Sequence, residues 1–354
     1  MPPSHQLPLR VAVVGAGSFG RNHLRVYREI ESLHPDLVQL AALVETNPLR
    51  RDELAAQYNL PGFATLEDLL NHGPVPDAAS VCVPTVHHAR VAEQLLLGGV
   101  DILIEKPFAS SLAEADRILA LAHERSRILQ IGHLERFNPV VAAVTERITR
   151  PMFFEAHRLS IFTPRSLDVD VVLDLMIHDL DIVLTLAGSA VKEVRAVGLP
   201  VLSPKVDIAN VRLEFESGCV ANFTASRVST ELVRKLRLFQ PHQYLSLDFA
   251  RQELLSIDVD PAIIAATIAA NPRSATGVNV PPPGATAHPS AGLSLKKIEI
   301  SRDEPLKLEL LDFLHAVRDR TSPQVTGEAG RTALALALEI NDRIAAHTHR
   351  AGLL

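Results

Sequence analysis

The chain has 354 residues, enough for two domains that each bury a core, and its formal net charge of −6 and lack of tryptophan argue against nucleic-acid binding. No apolar run reaches membrane-spanning length, and the amino terminus lacks the basic-then-apolar pattern of a signal peptide. Cys82 and Cys219 both lie in apolar runs, which predicts buried free thiols in a reducing cytoplasm.

The first part of the chain alternates short apolar runs with helical patterns, which is typical of a doubly wound parallel sheet. The predicted strands are 9–14, 38–44, 79–83, 102–104 and 127–131. The predicted helices run from the first glycine-rich turn to about residue 32, and then over 49–57, 65–71, 87–98 and 110–124. We therefore expect a Rossmann domain over residues 1–132.

A glycine-rich motif, Gly15-Ala16-Gly17-Ser18-Phe19-Gly20, lies between the first strand and the first helix, which is the context of a dinucleotide-binding turn. Gly15 permits the tight turn, Gly17 lets the backbone approach a pyrophosphate, and Gly20 allows close packing of helix on strand. The helix N-terminus adds N–H groups and partial positive charge. Glu45 ends the second strand, where an acid bonds the ribose hydroxyls and repels a 2′-phosphate, so NAD is favoured over NADP.

Polar residues follow two further strands of this sheet, at the edge where open parallel sheets bind ligands. Pro84, Thr85 and His88 come after the third strand and could line the cofactor, although Thr85 could equally cap the next helix. The following strand ends directly in Glu105 and Lys106. Lys106 is either a solvated residue before a turn or a group with a chemical task. Because the glycine-rich turn places a cofactor at the same edge, we predict that Lys106 is catalytic.

From residue 133 the pattern changes to alternation, and the predicted strands are 152–160, 191–202, 207–216, 219–228, 233–240 and 243–249. Strands without intervening helices pair antiparallel, so we expect an α+β domain with a large, open, mostly antiparallel sheet over 133–354. Helices are predicted at 140–147, 304–320 and 328–347, and the last could pack back on the first domain. Residues 262–292 are rich in Ala, Pro and Gly, which predicts a mobile loop around 281–284.

One predicted helix of the second half, residues 171–181, carries both acids and a histidine among apolar residues. Asp174, His178 and Asp181 share one face at helical spacing, whereas Asp179 points elsewhere and is expected to be solvated. A buried histidine beside a carboxylate suits general acid–base catalysis. A purely structural Asp–His pair is the alternative, and a metal site is not expected because no further ligands are suitably spaced.

Arginines are concentrated around this helix although the chain is acidic, which suggests an anionic substrate. They are Arg136, Arg150, Arg158, Arg165, Arg227, Arg234 and Arg237. Arg158 and Arg165 are the preferred candidates because they precede the helix directly. Each could alternatively be an ordinary surface residue.

Together, the strand–glycine turn, the Glu105-Lys106-Pro107 strand end and the Asp174-x-x-x-His178 helix resemble the Gfo/Idh/MocA oxidoreductase family over essentially the whole chain. The resemblance implies NAD as cofactor and a catalytic trio of Lys106, Asp174 and His178. It places the glycines at the pyrophosphate, Glu45 at the ribose, the residues after the third strand along the nicotinamide half, and Glu105 beside the cofactor. It also implies a homodimer or homotetramer formed through the carboxyl-terminal sheet.

Finer features resemble the branch of the family that oxidises the C3 hydroxyl of UDP-N-acetylglucosamine. They are Gly132–Pro139, Glu155–Ser160, Asp174–Asp179, Leu202–Pro204 and Asn222–Arg227. The implied 3-keto product is consumed by a PLP aminotransferase that makes the 3-amino sugar of lipid A, a pathway partner rather than a necessarily bound one. Arg158 or Arg165 would hold the diphosphate, and Asn138 or Arg136 the sugar.

Three alternatives stay open at the level of sequence. The substrate could be another UDP-sugar, such as the 2-acetamido-uronate, or a polyol. The chain could also be a catalytically silent NAD sensor. The presence of Lys106, Asp174 and His178 argues against this alternative. Either Lys106 or His178 could accept the proton.

Overall fold

The computed structural model describes residues 7–162, 169–262 and 293–352. The chain forms two compact units, one of Met1–Asn138 with Asp303–Glu339 and one of Pro139–Arg302 with Ile340–Leu354. This division differs from the predicted boundary, because residues 133–138 and 303–339 pack with the first unit. The predictions for residues 263–292 and for Arg165 lie outside the described residues. None of the helices in the described ranges is both long and apolar enough to cross a membrane.

The first unit is built on a six-stranded parallel sheet with the order β3-β2-β1-β4-β5-β6. Its strands are β1 (Leu9–Val14), β2 (Val38–Val44), β3 (Gly62–Phe63), β4 (Ala78–Val81), β5 (Asp101–Glu105) and β6 (Leu129–Gly132). The strand order reverses between β1 and β4, which is the switch point where such sheets bind ligands. The Rossmann prediction is confirmed. The strand β3 was not predicted because two residues are too short to produce a periodic pattern.

Nine α-helices are seen in the described ranges, and short polar side chains cap several of them. They are α1 (Ser18–Leu33), α2 (Pro48–Tyr58), α3 (Leu66–His72), α4 (His88–Leu97), α5 (Leu112–Glu124), α6 (Pro139–Thr145), α7 (Ile177–Ala187), α8 (Pro305–Asp319) and α9 (Gly327–Arg350). Asn47, Thr65 and Ser111 accept hydrogen bonds from the first turns of α2, α3 and α5.

Helix α8 belongs to the first unit because its apolar stripe packs into that unit's core. Leu310, Phe313 and Leu314 are fully buried in a cluster with Val11 of β1 and Tyr27 of α1. Burial of large apolar side chains contributes about 2 kcal/mol each. A helix far along the sequence therefore completes the first core, which a division made by sequence position does not anticipate.

The second unit is built on an eight-stranded sheet with the order β14-β13-β12-β11-β7-β10-β9-β8. The strands are β7 (Phe153–Ile161), β8 (Val191–Leu199), β9 (Ile208–Phe215), β10 (Val220–Ser229), β11 (Val233–Gln240), β12 (Gln243–Asp248), β13 (Glu253–Val259) and β14 (Leu293–Ile298). All neighbours are antiparallel except β7 and β10. The prediction of a mostly antiparallel sheet is confirmed, although β13 and β14 were not predicted.

The predicted helix over 171–181 is not uniformly α-helical. The N–H of Ile177 donates to the carbonyl of Val172, five residues earlier, so Val172–Met176 form a π turn and α7 begins at Ile177. Turns of this kind are rare, and those that do occur are often at functional sites. Asp174 lies in the π turn and His178 lies in the first turn of α7.

Candidate functional site

Two glycines of the turn between β1 and α1 lie where a side chain would clash with the backbone. Gly15 has a φ of +90°, and a Cβ at this position would lie 2.8 Å from the backbone of Cys82 and Val83. A Cβ on Gly20 would lie 1.9 Å from the carbonyl oxygen of Gly15. Gly17 has nothing within 4 Å of its Cβ position, so the backbone there faces open space. The close contacts at Gly15 and Gly20 and the open space at Gly17 are compatible with the separate tasks that the sequence predicted for the three glycines.

Glu45 joins the end of β2 to this turn through its carboxylate. Ala16 N–H donates to Oε2 at 3.0 Å, Asn47 N–H donates to Oε1 at 2.8 Å, and the Arg50 guanidinium lies 3.3 Å from Oε2. Burial alone would raise the pKa of Glu45, but the two N–H groups and Arg50 bring it below its ordinary value. The carboxylate is therefore ionised and fixed in place at neutral pH.

A cavity of about 480 Å³ opens beside the turn, and its walls contain the residues expected at a dinucleotide. They are Val14–Gly17, Val44–Thr46, Arg50, Cys82–Pro84 and His87. The open space over Gly17 and the N-terminus of α1 can receive a pyrophosphate, and the Glu45 carboxylate can accept from ribose hydroxyls. The residues present therefore fit NAD. Ser18 and Phe19 begin α1 and are exposed.

The structure changes the roles of the residues that follow β4. Thr85–His87 form a 3₁₀ turn, and α4 starts at His88 without a side-chain cap, so Thr85 does not cap it. Pro84 and His87 line the cavity. His88 is buried, and its Nε2 and Nδ1 lie 2.9 and 3.0 Å from the carbonyl oxygens of Val83 and Pro107. His88 is therefore withdrawn as a cofactor-lining residue and instead joins the loops after β4 and β5.

Burial lowers the pKa of His88 below its ordinary value. The carbonyl groups of Val83 and Pro107 favour the charged ring and oppose this effect, but burial is the larger cause. The ring is therefore neutral at physiological pH and donates through one nitrogen at a time. The sequence prediction named His88 and not His87, although both follow the strand. A 3₁₀ turn of three residues decides which of the two points to the cavity.

Lys106 is half-buried and follows the last residue of β5, where the sequence placed it. Its neighbour Glu105 was expected beside the cofactor, and its side chain contacts a residue of α1. The Glu105 carboxylate is buried, and Oε1 lies 2.8 Å from Nε2 of His23 on α1. The sequence offered one signal for His23, a histidine on the apolar face of a helix that begins in a dinucleotide turn, and this signal was overlooked.

In the second unit, Asp174 and His178 are half-buried on successive helical turns, whereas Asp181 is buried. The change from π to α winding lies between Asp174 and His178. Four residues still bring the two side chains to neighbouring positions on the helix surface. Their predicted catalytic roles stay predictions.

Arg158 and Asp179 contradict the roles assigned from sequence. Arg158 Nε and Nη2 donate to Asp179 Oδ2 and Oδ1, each at 2.8 Å, and both residues are buried. The guanidinium also lies over the Phe249 ring, 5.6 Å from its centroid. A bidentate pair of this kind holds strand β7 against α7. Asp179 is therefore not solvated, and Arg158 is withdrawn as a diphosphate ligand.

The two residues proposed for the sugar lie in and after a short 3₁₀ turn, Leu134–Phe137, of the first unit. Arg136 and Asn138 are both buried, and the Asn138 amide donates to Glu135 Oε2 at 3.2 Å. The Arg136 carbonyl accepts from the Gln324 side chain at 3.4 Å. Contact of either side chain with a substrate stays a prediction.

Two family models match the chain. The model of the oxidoreductase family with an NAD-binding Rossmann fold, Gfo/Idh/MocA, matches residues 9–133, and that of the GFO/IDH/MocA C-terminal domain matches residues 142–239. Together they cover more than half of the chain. The cofactor prediction, NAD, agrees with this match and with the fit of the cavity.

Relatives of similar length extend the likeness to both units. The chain is 35% identical over 343 residues to the UDP-N-acetylglucosamine 3-dehydrogenase of Acidithiobacillus ferrooxidans, covering 97% of this chain and 99% of that one. A crystal structure of that protein superimposes with a TM-score of 0.82 over 96% of this chain and 99% of that chain, at 33% identity. The WlbA dehydrogenase of Bordetella pertussis, solved with NADH and UDP-GlcNAcA, shares the fold at a TM-score of 0.74 and 17% identity over 96% and 97% of the two chains.

Proposed function

This chain belongs to the Gfo/Idh/MocA oxidoreductase family, and we propose that it oxidises the C3 hydroxyl of UDP-N-acetylglucosamine to a ketone with NAD as hydride acceptor. The observation that carries the proposal is the 35% identity to a UDP-N-acetylglucosamine 3-dehydrogenase along 97% of this chain and 99% of the relative. No large insertion or missing domain separates the two chains, so a change of substrate would have to come from individual side chains.

The reaction removes a hydride from a carbinol carbon and a proton from its oxygen. Bound NAD supplies the hydride acceptor, the C4 atom of the nicotinamide ring. Negative charge develops on the substrate oxygen as its proton leaves, and this alkoxide-like oxygen drives the departure of the hydride, so a cation placed beside that oxygen lowers the barrier. The proton must pass to a basic group within hydrogen-bond reach.

We assign Lys106 to the substrate oxygen because it follows a strand of the sheet that forms the cavity, at the edge where ligands bind. His178 is the second candidate for the proton acceptor, with Asp174 one turn earlier to orient the ring. Lys106 is either the base itself or the cation that steadies the oxygen while His178 takes the proton. Mutagenesis has to determine which of the two residues accepts the proton.

The cofactor would be held by groups of the first unit. The N–H groups at the start of α1 receive the pyrophosphate over Gly17, and Glu45 accepts from the adenosine ribose. Arg50 beside Glu45 is the one guanidinium that lines the described cavity, and it pairs with this carboxylate. Glu45 favours NAD over NADP because its carboxylate repels a 2′-phosphate, and the pairing engages the cation that could otherwise hold that phosphate.

Arg165 is the remaining sequence candidate for the UDP diphosphate now that Arg158 is engaged by Asp179. We also propose that the 3-keto product passes to a PLP aminotransferase for the 3-amino sugar of lipid A, and that the chain forms a homodimer or homotetramer through the eight-stranded sheet. The free thiols Cys82 and Cys219 support a cytoplasmic location.

The test is a spectrophotometric screen in which purified protein, NAD and a panel of UDP-sugars are followed by NADH absorbance. A PLP aminotransferase with an amino donor is added to remove the ketone, because oxidation of a secondary alcohol by NAD is unfavourable. We expect turnover with UDP-N-acetylglucosamine and no signal from Lys106→Ala. Product analysis then fixes the oxidised carbon.

Two other outcomes would replace the proposal. Turnover restricted to the 2-acetamido-uronate would identify that UDP-sugar, the ligand of the WlbA structure, as the substrate. Binding of NAD without turnover on any UDP-sugar or polyol would favour a regulatory NAD sensor.

A further inference from the structure

A buried cluster of ionisable side chains includes Glu105, the residue directly before Lys106. His23 of α1, Glu105 of β5 and Glu309 of α8 each offer a polar atom within 4.8 Å of one from each of the others. His23 and Glu309 have no exposed surface, and Glu105 is 6% exposed. Two carboxyl groups and an imidazole are therefore packed together out of water.

Glu309 is the unusual member of the cluster. Neither of its carboxyl oxygens has a hydrogen-bond partner among the described residues, although the side chain is completely buried. An ionised carboxylate in that position would lack both water and donors, which is among the costliest arrangements in a protein interior. Its neighbour Glu105, in contrast, has the His23 ring at 2.8 Å.

One distribution of protons fits these contacts best. With both carboxyl groups ionised and the ring neutral, two like charges would face each other in a dry interior. A doubly protonated His23 would need an acceptor at Nδ1, and this atom has none within the described ranges. With His23 donating through Nε2 to Glu105 and a proton on Glu309, the cluster keeps a single negative charge and that charge accepts a hydrogen bond.

The ionisable groups that face Glu309 from the surrounding elements support the same distribution. They are His23 and Tyr27 on α1, Cys82 after β4, Glu105 on β5 and Asp312 on α8. None of these is a lysine or an arginine. Burial, followed by the negative charges of Glu105 and Asp312, raises the pKa of Glu309 well above its ordinary value.

We propose that Glu309 carries a proton at neutral pH and that, with His23, it positions Glu105, the residue before Lys106, as the one ionised carboxylate of this cluster. Glu105 is peptide-bonded to Lys106, so the contacts that fix the Glu105 side chain also fix the backbone that carries the lysine. Glu309 is then a positioning residue that acts through Glu105. This functional part rests on the proposed role of Lys106, whereas the proton on Glu309 does not.

The proton is tested without turnover, in the full chain. Infrared difference spectra of wild type and Glu309→Gln at pH 7 should contain the carbonyl band of one protonated carboxylic acid, lost in the variant. Calorimetric unfolding in buffers of different ionisation enthalpy should release about one more proton from wild type than from Glu309→Gln. The exposed Glu67→Gln on α3 is the matched control and should change neither result.

The positioning role is tested by kinetics in the assay of the proposed function. Glu309→Ala should lower kcat by about tenfold or more with little change in KM, and Glu309→Gln should recover most of that loss because a neutral amide keeps the size of the protonated acid. If Glu309→Ala does not fold, Glu309→Leu serves in its place.

Each outcome decides one claim. Equal infrared bands and equal proton release would overturn the protonated Glu309, and so would an equimolar divalent metal in the purified protein, since a cation would then neutralise the cluster. A band at Glu309 in a protein inactive on every UDP-sugar would sink the proposed function alone. Normal kcat in both Glu309→Ala and Glu309→Leu would overturn the positioning role.

Discussion

The buried Arg158–Asp179 pair should behave as a structural element of the second unit, and replacing Arg158 by methionine tests this directly. Methionine keeps most of the volume but leaves the Asp179 carboxylate buried without its counter-charge. Removing one partner of a buried pair costs about 3–5 kcal/mol. Loss of the contact with the Phe249 ring, 5.6 Å away, accounts for about 1 kcal/mol within that range.

A matched control lies on the same sheet. Arg237 of β11 bonds Glu155 of β7 at 2.7 Å, nearly the same separation, but both side chains are 35% exposed whereas those of Arg158 and Asp179 are 4% exposed. Exposed pairs contribute about 0–1 kcal/mol, so Arg237→Met should cost little. The difference between the two variants isolates the effect of burial.

Native-state hydrogen exchange is the suitable assay, because a chain with two compact units is not expected to unfold in one step. Amides of β7 should lose about 3 kcal/mol or more of protection in Arg158→Met and less than about 1 kcal/mol in Arg237→Met. Adding Asp179→Leu to Arg158→Met should recover part of the loss. Unchanged protection together with a raised KM for the UDP-sugar would refute this reasoning and restore Arg158 as a substrate ligand.

Four further substitutions have defined outcomes. Lys106→Ala and His178→Ala should each lower kcat by about 100-fold or more while NAD affinity, measured by isothermal titration calorimetry, is retained; near-normal rates in both would remove the assignment. Glu45→Ala should weaken NAD more than NADP in the same titration, and equal weakening would end its ribose role. Donors around Asp207 lower its pKa below 3.8 despite burial, so its contribution to stability is present at neutral pH and lost in acid. The difference in Tm between wild type and Asp207→Asn should accordingly shrink as the pH falls below about 4 and vanish only below the lowered pKa, and a difference that stays constant through strong acid would contradict this.

The parts of the site that the sequence predicted are those decided within a few neighbouring residues. The glycine turn, Glu45 and Lys106 all follow buried strands of a parallel sheet, and that local context fixes the edge on which they lie. The Gfo/Idh/MocA resemblance then supplied the cofactor and the substrate class. Both Rossmann and antiparallel sheets were predictable because their strands have strong patterns.

The errors arise where distant residues compete for a group. Arg158 was predicted to bind the diphosphate. The sequence does not reveal that Asp179, 21 positions away, accepts hydrogen bonds from the Arg158 guanidinium. The contact of Glu105 with His23 was missed for the same reason, since the two residues are 82 positions apart. The placement of α8 in the first unit has the same origin, since its apolar face gives no indication of which core receives it.

The parallel pairing of β7 with β10 has a consequence for how the second unit is made. The register pairs Phe153 with Val220. During synthesis, α7, β8 and β9 are therefore made after β7 and before its neighbour β10. Its other neighbour, β11, comes later still. Non-local pairing of this kind slows folding and leaves strand edges open during that time. We therefore expect closure of the sheet around β7 to limit the rate of refolding, and a nascent chain that ends before Val220 to require a chaperone.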